Sequence, residues 1–175
     1  LPDRSSYSVQ FGDQVLINDN YDAAESSASQ GCRLALLSVC GLARGEFVAK
    51  HENIVLMGEV GTGKTHLAIA IGLACCEREH RVRFVTAAEL TNMLVESRSA
   101  ASLSRRLEQM ARYDVVVLDE LGYVPFDKLG ADLLFSFITK VYERRSLVIT
   151  TNLPFARWNE VFLDKTAAAA VIDRI

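Results

Sequence analysis

The sequence predicts an α/β domain: a parallel sheet covered by helices on both faces. Three observations predict it. Short apolar runs alternate with stretches of helical periodicity from about residue 54 onward. Those runs are continuously apolar, as strands buried on both faces require. One of them leads directly into Gly58-Glu59-Val60-Gly61-Thr62-Gly63-Lys64-Thr65, a glycine-rich loop of the pattern G-x-x-x-x-G-K-[ST].

The elements follow in order. Ile54–Met57 is a short buried strand, and Lys64 to about Glu79 is helical, with Leu67, Ala68, Ile71, Ala74 and Cys75 at helix spacing. Val82–Val85 is a second strand. Thr86-Ala87-Ala88-Glu89 has the capping-box pattern and opens a helix with Leu90, Met93 and Leu94 inward. A further helix over about Ser102–Arg112 places Leu103, Leu107 and Met110 on one face. Val115–Leu118 is a third strand. Asp132 to about Arg144 is a helix carrying Leu133, Leu134, Phe137, Ile138 and Val141, and Leu147–Thr151 is a fourth strand. Alternation of this kind gives parallel strands with right-handed crossovers. Ala167–Ala170 reads as helix. Upstream, residues 1–30 are polar and poorly patterned, with Asn18–Gln30 a loop, and an apolar helix runs from Gln30 to about Ala43. The chain thus divides into a segment 1–50, loop then helix, and a core 51–175.

Composition excludes several classes. With 175 residues, half of them apolar, the chain is expected to be one domain with an ordinary core, or one domain with a stub at either end. No apolar run reaches the ~18 residues of a membrane span, and residues 1–4 carry no signal-peptide pattern. Cys32, Cys40, Cys75 and Cys76 form no C-x-x-C pair and the three histidines lie apart, so zinc is not expected. Buried or half-buried thiols in a reducing cytosol are the expectation. The formal charge of −3 argues against a large nucleic-acid footprint without a local basic patch.

The glycine-rich loop carries the chemistry. Glycines reach backbone angles closed to other residues and let the main chain approach phosphate oxygens. Successive N–H groups point inward, and the following helix adds its positive end. Lys64 is expected on the β- and γ-phosphates and the Thr65 hydroxyl on Mg²⁺. The candidate nucleotide contacts are Gly58, Glu59, Val60, Gly61, Thr62, Gly63, Lys64, Thr65 and His66. The third strand ends in Asp119 and Glu120, at the edge where α/β sheets bind ligands. Asp119 is placed to hold the metal and Glu120 to orient and polarise a water. Asn152, at the end of the fourth strand, either faces the γ-phosphate or belongs to a turn before Pro154.

GTGKTHLA, the stretch Asp119–Phe162 that begins DELGY and contains TNLPF with Trp158 beyond it, and AAAAVIDRI at Ala167–Ile175 together resemble the IstB-like helper ATPases of insertion-sequence transposition. These are AAA+ proteins related to DnaC-type helicase loaders. The resemblance covers about Glu52–Ile175. It implies an AAA+/ASCE P-loop core of sheet order 5-1-4-3-2, adenine as the base, Glu120 as catalytic base and Asn152 as a sensor. It implies that Arg174 acts as a finger in a neighbouring subunit's site. It also implies DNA as a partner, double-stranded and contacted by Arg98, Arg105 and Arg106 with Arg112 nearby; the same arginines fit a solvated helix face equally well. Self-association into a ring or spiral and a transposase partner complete the expectation. Residues 1–50 match the resemblance poorly, and the fifth strand and the lid are expected to be missing from the C-terminal end. Two alternatives stand beside the transposition helper: a helicase loader, and a nucleotide-binding remnant without catalysis.

Overall fold

The computed structural model describes residues 7–11, 14–18, 42, 44–97 and 100–175, with residues 7–11 and 14–18 described by their backbone. A six-stranded sheet runs through it: β1 (Tyr7–Phe11), β2 (Gln14–Asn18), β3 (Ile54–Gly58), β4 (Val82–Thr86), β5 (Val115–Leu121) and β6 (Ser146–Thr151), in the spatial order β2-β1-β3-β6-β5-β4. The helices are α1 (Glu46–Lys50), α2 (Lys64–Cys76), α3 (Ala87–Glu96), α4 (Ala100–Met110), α5 (Lys128–Val141), α6 (Asn159–Phe162) and α7 (Lys165–Ile172), with a 3₁₀ turn at Phe155–Arg157.

The four strands expected from the sequence pair in parallel as β3-β6-β5-β4, the 1-4-3-2 part of the expected order. Two antiparallel strands, β1 and β2, extend this parallel core at the β3 edge. Beside β3, where the resemblance puts a fifth strand, β1 lies antiparallel, with Tyr7 opposite Gly58 and Phe11 opposite Ile54. β2 pairs antiparallel with β1. The segment 1–50 was expected as loop then helix, and Tyr7–Phe11 and Gln14–Asn18 within it instead form this pair of strands. An antiparallel neighbour needs only a hairpin, not a crossover. The expected helix over Gln30–Ala43, with Cys32 and Cys40, lies outside the described residues apart from the helical Leu42.

Side chains alternate along the buried strands and build a core on each face. Ile54, Leu56, Val115, Val117 and Val148 face α1 and α2, where Phe47, Val48, Ala68, Ile71 and Cys75 meet them. Val55, Val116, Leu118, Leu147 and Ile149 face the other side, against Leu90, Leu94, Leu134, Phe137, Ile138 and Trp158. Two-sided burial explains the unbroken apolar runs. β4 is the exception. It pairs only with β5, and as an edge strand it leaves Arg83 and Phe84 exposed.

Caps set the helix limits. At α3 the Thr86 hydroxyl accepts the Glu89 N–H and the Glu89 carboxylate accepts the Thr86 N–H, both at 3.1 Å. α5 begins at Lys128 rather than at Asp132, because the Asp127 carboxylate accepts the Gly130 N–H at 2.7 Å. Gly130 also lets α5 pack against α3, since a Cβ there would sit 2.7 Å from Thr91 Cγ2. At the entry to the edge strand, Arg81 donates to both carboxylate oxygens of Asp114, from Nε at 3.1 Å and from its terminal nitrogen at 3.0 Å.

Candidate nucleotide-binding site

The phosphate loop leaves β3 and enters α2 through two left-handed glycines, Gly61 at φ 83° and Gly63 at φ 86°. Gly58 is the last residue of the strand and has no such angle. An α-helix leaves its first N–H groups without intrahelical acceptors, so the start of α2 at Lys64 presents donors and a positive dipole end to the loop. The loop is tied to itself. Lys64 Nζ donates to the Glu59 carbonyl at 2.6 Å, and the Thr62 hydroxyl donates to the same carbonyl at 2.8 Å. Burial holds the Lys64 ammonium below its usual pKa, partly opposed by the nearby Asp119 carboxylate. Glu59, Val60 and His66 are exposed.

Opposite the loop stands the tip of β5. Thr65 Oγ1 donates to Asp119 Oδ1 at 3.0 Å, joining the start of α2 to the strand carrying the acids. Asp119 is 4% exposed, whereas Glu120 is open to solvent. A regular strand would send these neighbours to opposite faces. Here the register of β5 against β6 shifts between Leu118 and Leu121, and Glu120 sits at φ 61°. Leu118 and Leu121, three apart, consequently bury in the same core. This is a β-bulge, and it re-aims the acid that follows Asp119.

Two threonines at the end of β6 hold the bulge. The Thr150 hydroxyl accepts the Glu120 N–H at 2.9 Å and donates to Asp119 Oδ1. The Thr151 hydroxyl donates to the Leu121 carbonyl at 2.7 Å and accepts the Leu153 N–H at 3.1 Å. In the sequence these residues are only the start of the polar stretch Thr150-Thr151-Asn152. The available signal was a pair of hydroxyls closing an otherwise apolar buried strand. Next along the chain, Asn152 Oδ1 is buried without a hydrogen-bond partner. Trp158 fixes the segment beyond, its indole N–H donating to the Leu153 carbonyl at 3.2 Å and its ring meeting Phe155 edge-on at 5.0 Å.

The structure therefore brings together Lys64, Thr65, Asp119 and Glu120, with Asn152 following the strand that braces the two acids. It does not bring Arg174 there. The Arg174 carbonyl accepts from Asn53, which also takes the Leu147 N–H, at the opposite ends of β3 and β6. Its guanidinium donates to the Ala170 carbonyl and lies 5.6 Å from the Phe135 ring and 5.9 Å from that of Tyr142. Arg105 and Arg106 are exposed on α4, with Arg106 bonded to Gln109, and Arg112 is exposed beyond it. Arg98 lies outside the described residues. No cluster of histidine, cysteine and carboxylate fit to hold a metal occurs among the described residues, and no helix there is long and apolar enough to cross a membrane. Of the described cysteines, Cys75 is buried as expected, while Cys76 is exposed because the helix turns it outward.

A phosphate loop between a central strand and its helix, facing an acid at the tip of the next strand but one, with β6 between the two, gives the chain a P-loop fold of the AAA+ type. The profile of the IstB-like ATP binding protein family matches residues 20–175. The chain belongs to that family. The match begins upstream of Glu52 and takes in part of the segment 1–50. Among curated relatives, the chain is 38% identical over 143 residues to the insertion sequence IS21 ATP-binding protein of Pseudomonas aeruginosa, covering 82% of this chain and 53% of the relative. It is 41% identical over 138 residues to an insertion sequence ATP-binding protein of Sinorhizobium fredii, covering 78% and 46%. The chain thus spans about half the length of the curated relatives it matches. Among solved structures, the DnaC helicase loader superposes with a TM-score of 0.67 at 22% identity, covering 89% of this chain and 91% of the loader. The replication initiator DnaA bound to AMPPCP and single-stranded DNA gives 0.65 at 19% identity, covering 89% and 47%. At these identities the likeness is one of fold.

Proposed function

We propose that this chain binds ATP with Mg²⁺ between the phosphate loop and the tip of β5, hydrolyses it, and serves as a DNA-handling helper to a transposase. The observation that carries the reading is the convergence of Thr65 and Thr150 on Asp119, beside Lys64 and behind the left-handed glycines.

The residues fit a magnesium ion. Thr65 Oγ1 and Asp119 Oδ1, 3.0 Å apart, are hard oxygen donors of the kind that ion takes. They would hold it. Bound there, it would neutralise charge on the phosphates and orient them. Lys64 releases the Glu59 carbonyl and gives its ammonium to the β- and γ-phosphates. The backbone N–H groups of the loop and of the start of α2 take the remaining oxygens. Glu120, exposed beside the buried Asp119, orients the attacking water and draws on its proton. The unpartnered Asn152 Oδ1 gives a hydrogen-bond acceptor to the same water.

Arg174 serves a neighbouring copy. To do so it leaves the Ala170 carbonyl and the Phe135 and Tyr142 rings. It would then supply cationic charge to the transferring phosphoryl group from outside the subunit. The exposed Arg105 and Arg106 contact DNA phosphates, and Arg98 and Arg112 extend the same basic stretch. The insertion-sequence relatives support a transposase as partner. The helicase-loader reading rests on a likeness of fold and is the weaker of the two.

Lys64→Ala should abolish binding of a fluorescent ATP analogue. Glu120→Gln should keep binding and lose turnover, and wild-type turnover in Glu120→Gln would overturn the role of the acid. Turnover per subunit should rise with protein concentration and with added duplex DNA. A rate independent of both would remove the neighbour's arginine and the DNA from the proposal.

A further inference from the structure

We propose that Thr150 is a positioning residue that couples the metal-side acid to the water-side acid; the proposal rests on the ATPase reading above. One hydroxyl makes both connections, donating to Asp119 Oδ1 and accepting the Glu120 N–H at 2.9 Å. The residue is 2% exposed, so water does not replace either bond.

Each bond has a distinct consequence. Asp119 Oδ1 accepts hydrogen bonds from the hydroxyls of Thr65 on α2 and Thr150 on β6. The carboxylate is therefore held from two sides, and its plane is set before any ligand arrives. Hydrogen bonds of this kind to a metal-binding carboxylate orient it. The second bond acts on the backbone. The bulge leaves an extra residue outside the ladder, and the Glu120 N–H takes the Thr150 hydroxyl as its acceptor. That bond supports the left-handed angle at Glu120, which turns its carboxylate away from the buried face. Loss of the hydroxyl would release the Asp119 carboxylate and strip the Glu120 N–H of its acceptor together.

Thr151 provides an internal control. It is equally buried and its hydroxyl also makes two hydrogen bonds, but to the Leu121 carbonyl and the Leu153 N–H. It touches neither acid. A purely structural account of these hydroxyls predicts the same result at both positions.

The test compares wild type, Thr150→Val, Thr150→Ser and Thr151→Val as full chains. Mn²⁺ affinity is read in the presence of ADP, ATP turnover is read separately, and urea unfolding reports the fold. Thr150→Val should weaken Mn²⁺ binding by about 10–100-fold and lower kcat by a similar factor, with metal-free nucleotide affinity unchanged. Thr150→Ser should restore both. Thr151→Val should unfold more easily yet keep Mn²⁺ affinity. Should Thr150→Val fail to fold, Thr150→Cys, a weaker donor of similar size, carries the same expectation. Wild-type Mn²⁺ affinity in Thr150→Val, a Thr150→Ser protein as weak as the valine variant, or equal metal loss at Thr151 would each overturn the proposal. A wild type that binds Mn²⁺ with ADP but does not turn ATP over would refute hydrolysis alone, and the Mn²⁺ comparison would still decide Thr150. A wild type with no metal-linked binding would overturn both.

Discussion

Three glycines share nearly the same backbone angle, at φ 83°, 86° and 85° for Gly61, Gly63 and Gly122, yet an added methyl group meets different surroundings at each. At Gly61 and Gly63 no atom lies within 4 Å of a Cβ position. At Gly122 the Cβ would sit 2.5 Å from Leu153 Cδ1, 3.1 Å from its Cγ and 3.2 Å from Val161 Cγ2. Leu153 has little room to retreat. It is buried, its N–H is held by Thr151 and its carbonyl by the Trp158 indole. A left-handed alanine costs about 1–2 kcal/mol, and overpacking of this kind adds about 1–3 kcal/mol. Gly122→Ala should therefore destabilise by about 2–5 kcal/mol, and Gly61→Ala by only about 1–2 kcal/mol. For a chain of this length the first value lowers Tm by roughly 4–20 °C. Urea unfolding of the three alanine variants without nucleotide measures the difference. Equal losses at Gly61 and Gly122 would refute the packing argument. The functional ranking should invert: Gly61→Ala and Gly63→Ala keep most of the stability but lose nucleotide affinity.

Other consequences are equally direct. The Arg81 hydrogen bonds hold the Asp114 carboxyl at about 2, below its ordinary 3.8; its contribution is present above about pH 4 and lost as pH falls through about 2, so Asp114→Asn should flatten the acid limb of stability against pH in a urea titration. Burial, reinforced by the neighbouring Cys76, pushes the Cys75 thiol up to about 11. Alkylation of the native protein at pH 8, mapped by mass spectrometry, should modify Cys76 well before Cys75; equal rates would contradict the packing of α2. Thr86→Ala removes the acceptor for the Glu89 N–H and should cost about 1 kcal/mol in thermal unfolding.

The parts of the fold legible in the sequence were those whose signal is local. β3, β5 and β6 declared themselves because burial on both faces makes them unbroken apolar runs, and the phosphate loop because its spacing is tied to one task. The capping box at Thr86 names its helix start within four residues. What stayed hidden depends on partners distant in the chain. Nothing within Tyr7–Phe11 says that it pairs with the strand carrying the phosphate loop, because that choice is made by the open edge of β3. The bulge at Glu120 is invisible in VVVLDEL, since it appears only as a shift against β6. Thr150 was hidden for the same reason: its hydroxyl gains a purpose only when β6 lies beside β5. The start of α5 was missed because Asp127, an ordinary loop residue by composition, caps a helix that the apolar pattern alone begins later.

The antiparallel placement of β1 has a mechanical consequence for the phosphate loop. β3 has a bonded neighbour along both of its sides, β1 on one and β6 on the other. A strand at a border frays, whereas one clamped between two ladders opens only when one of those ladders comes apart. The amides of Leu56 and Met57 should accordingly exchange with deuterium slowly, and the loop that springs from them works from a stiff root. Unzipping the hairpin would loosen that root from a distance, with no change to any residue that touches a phosphate.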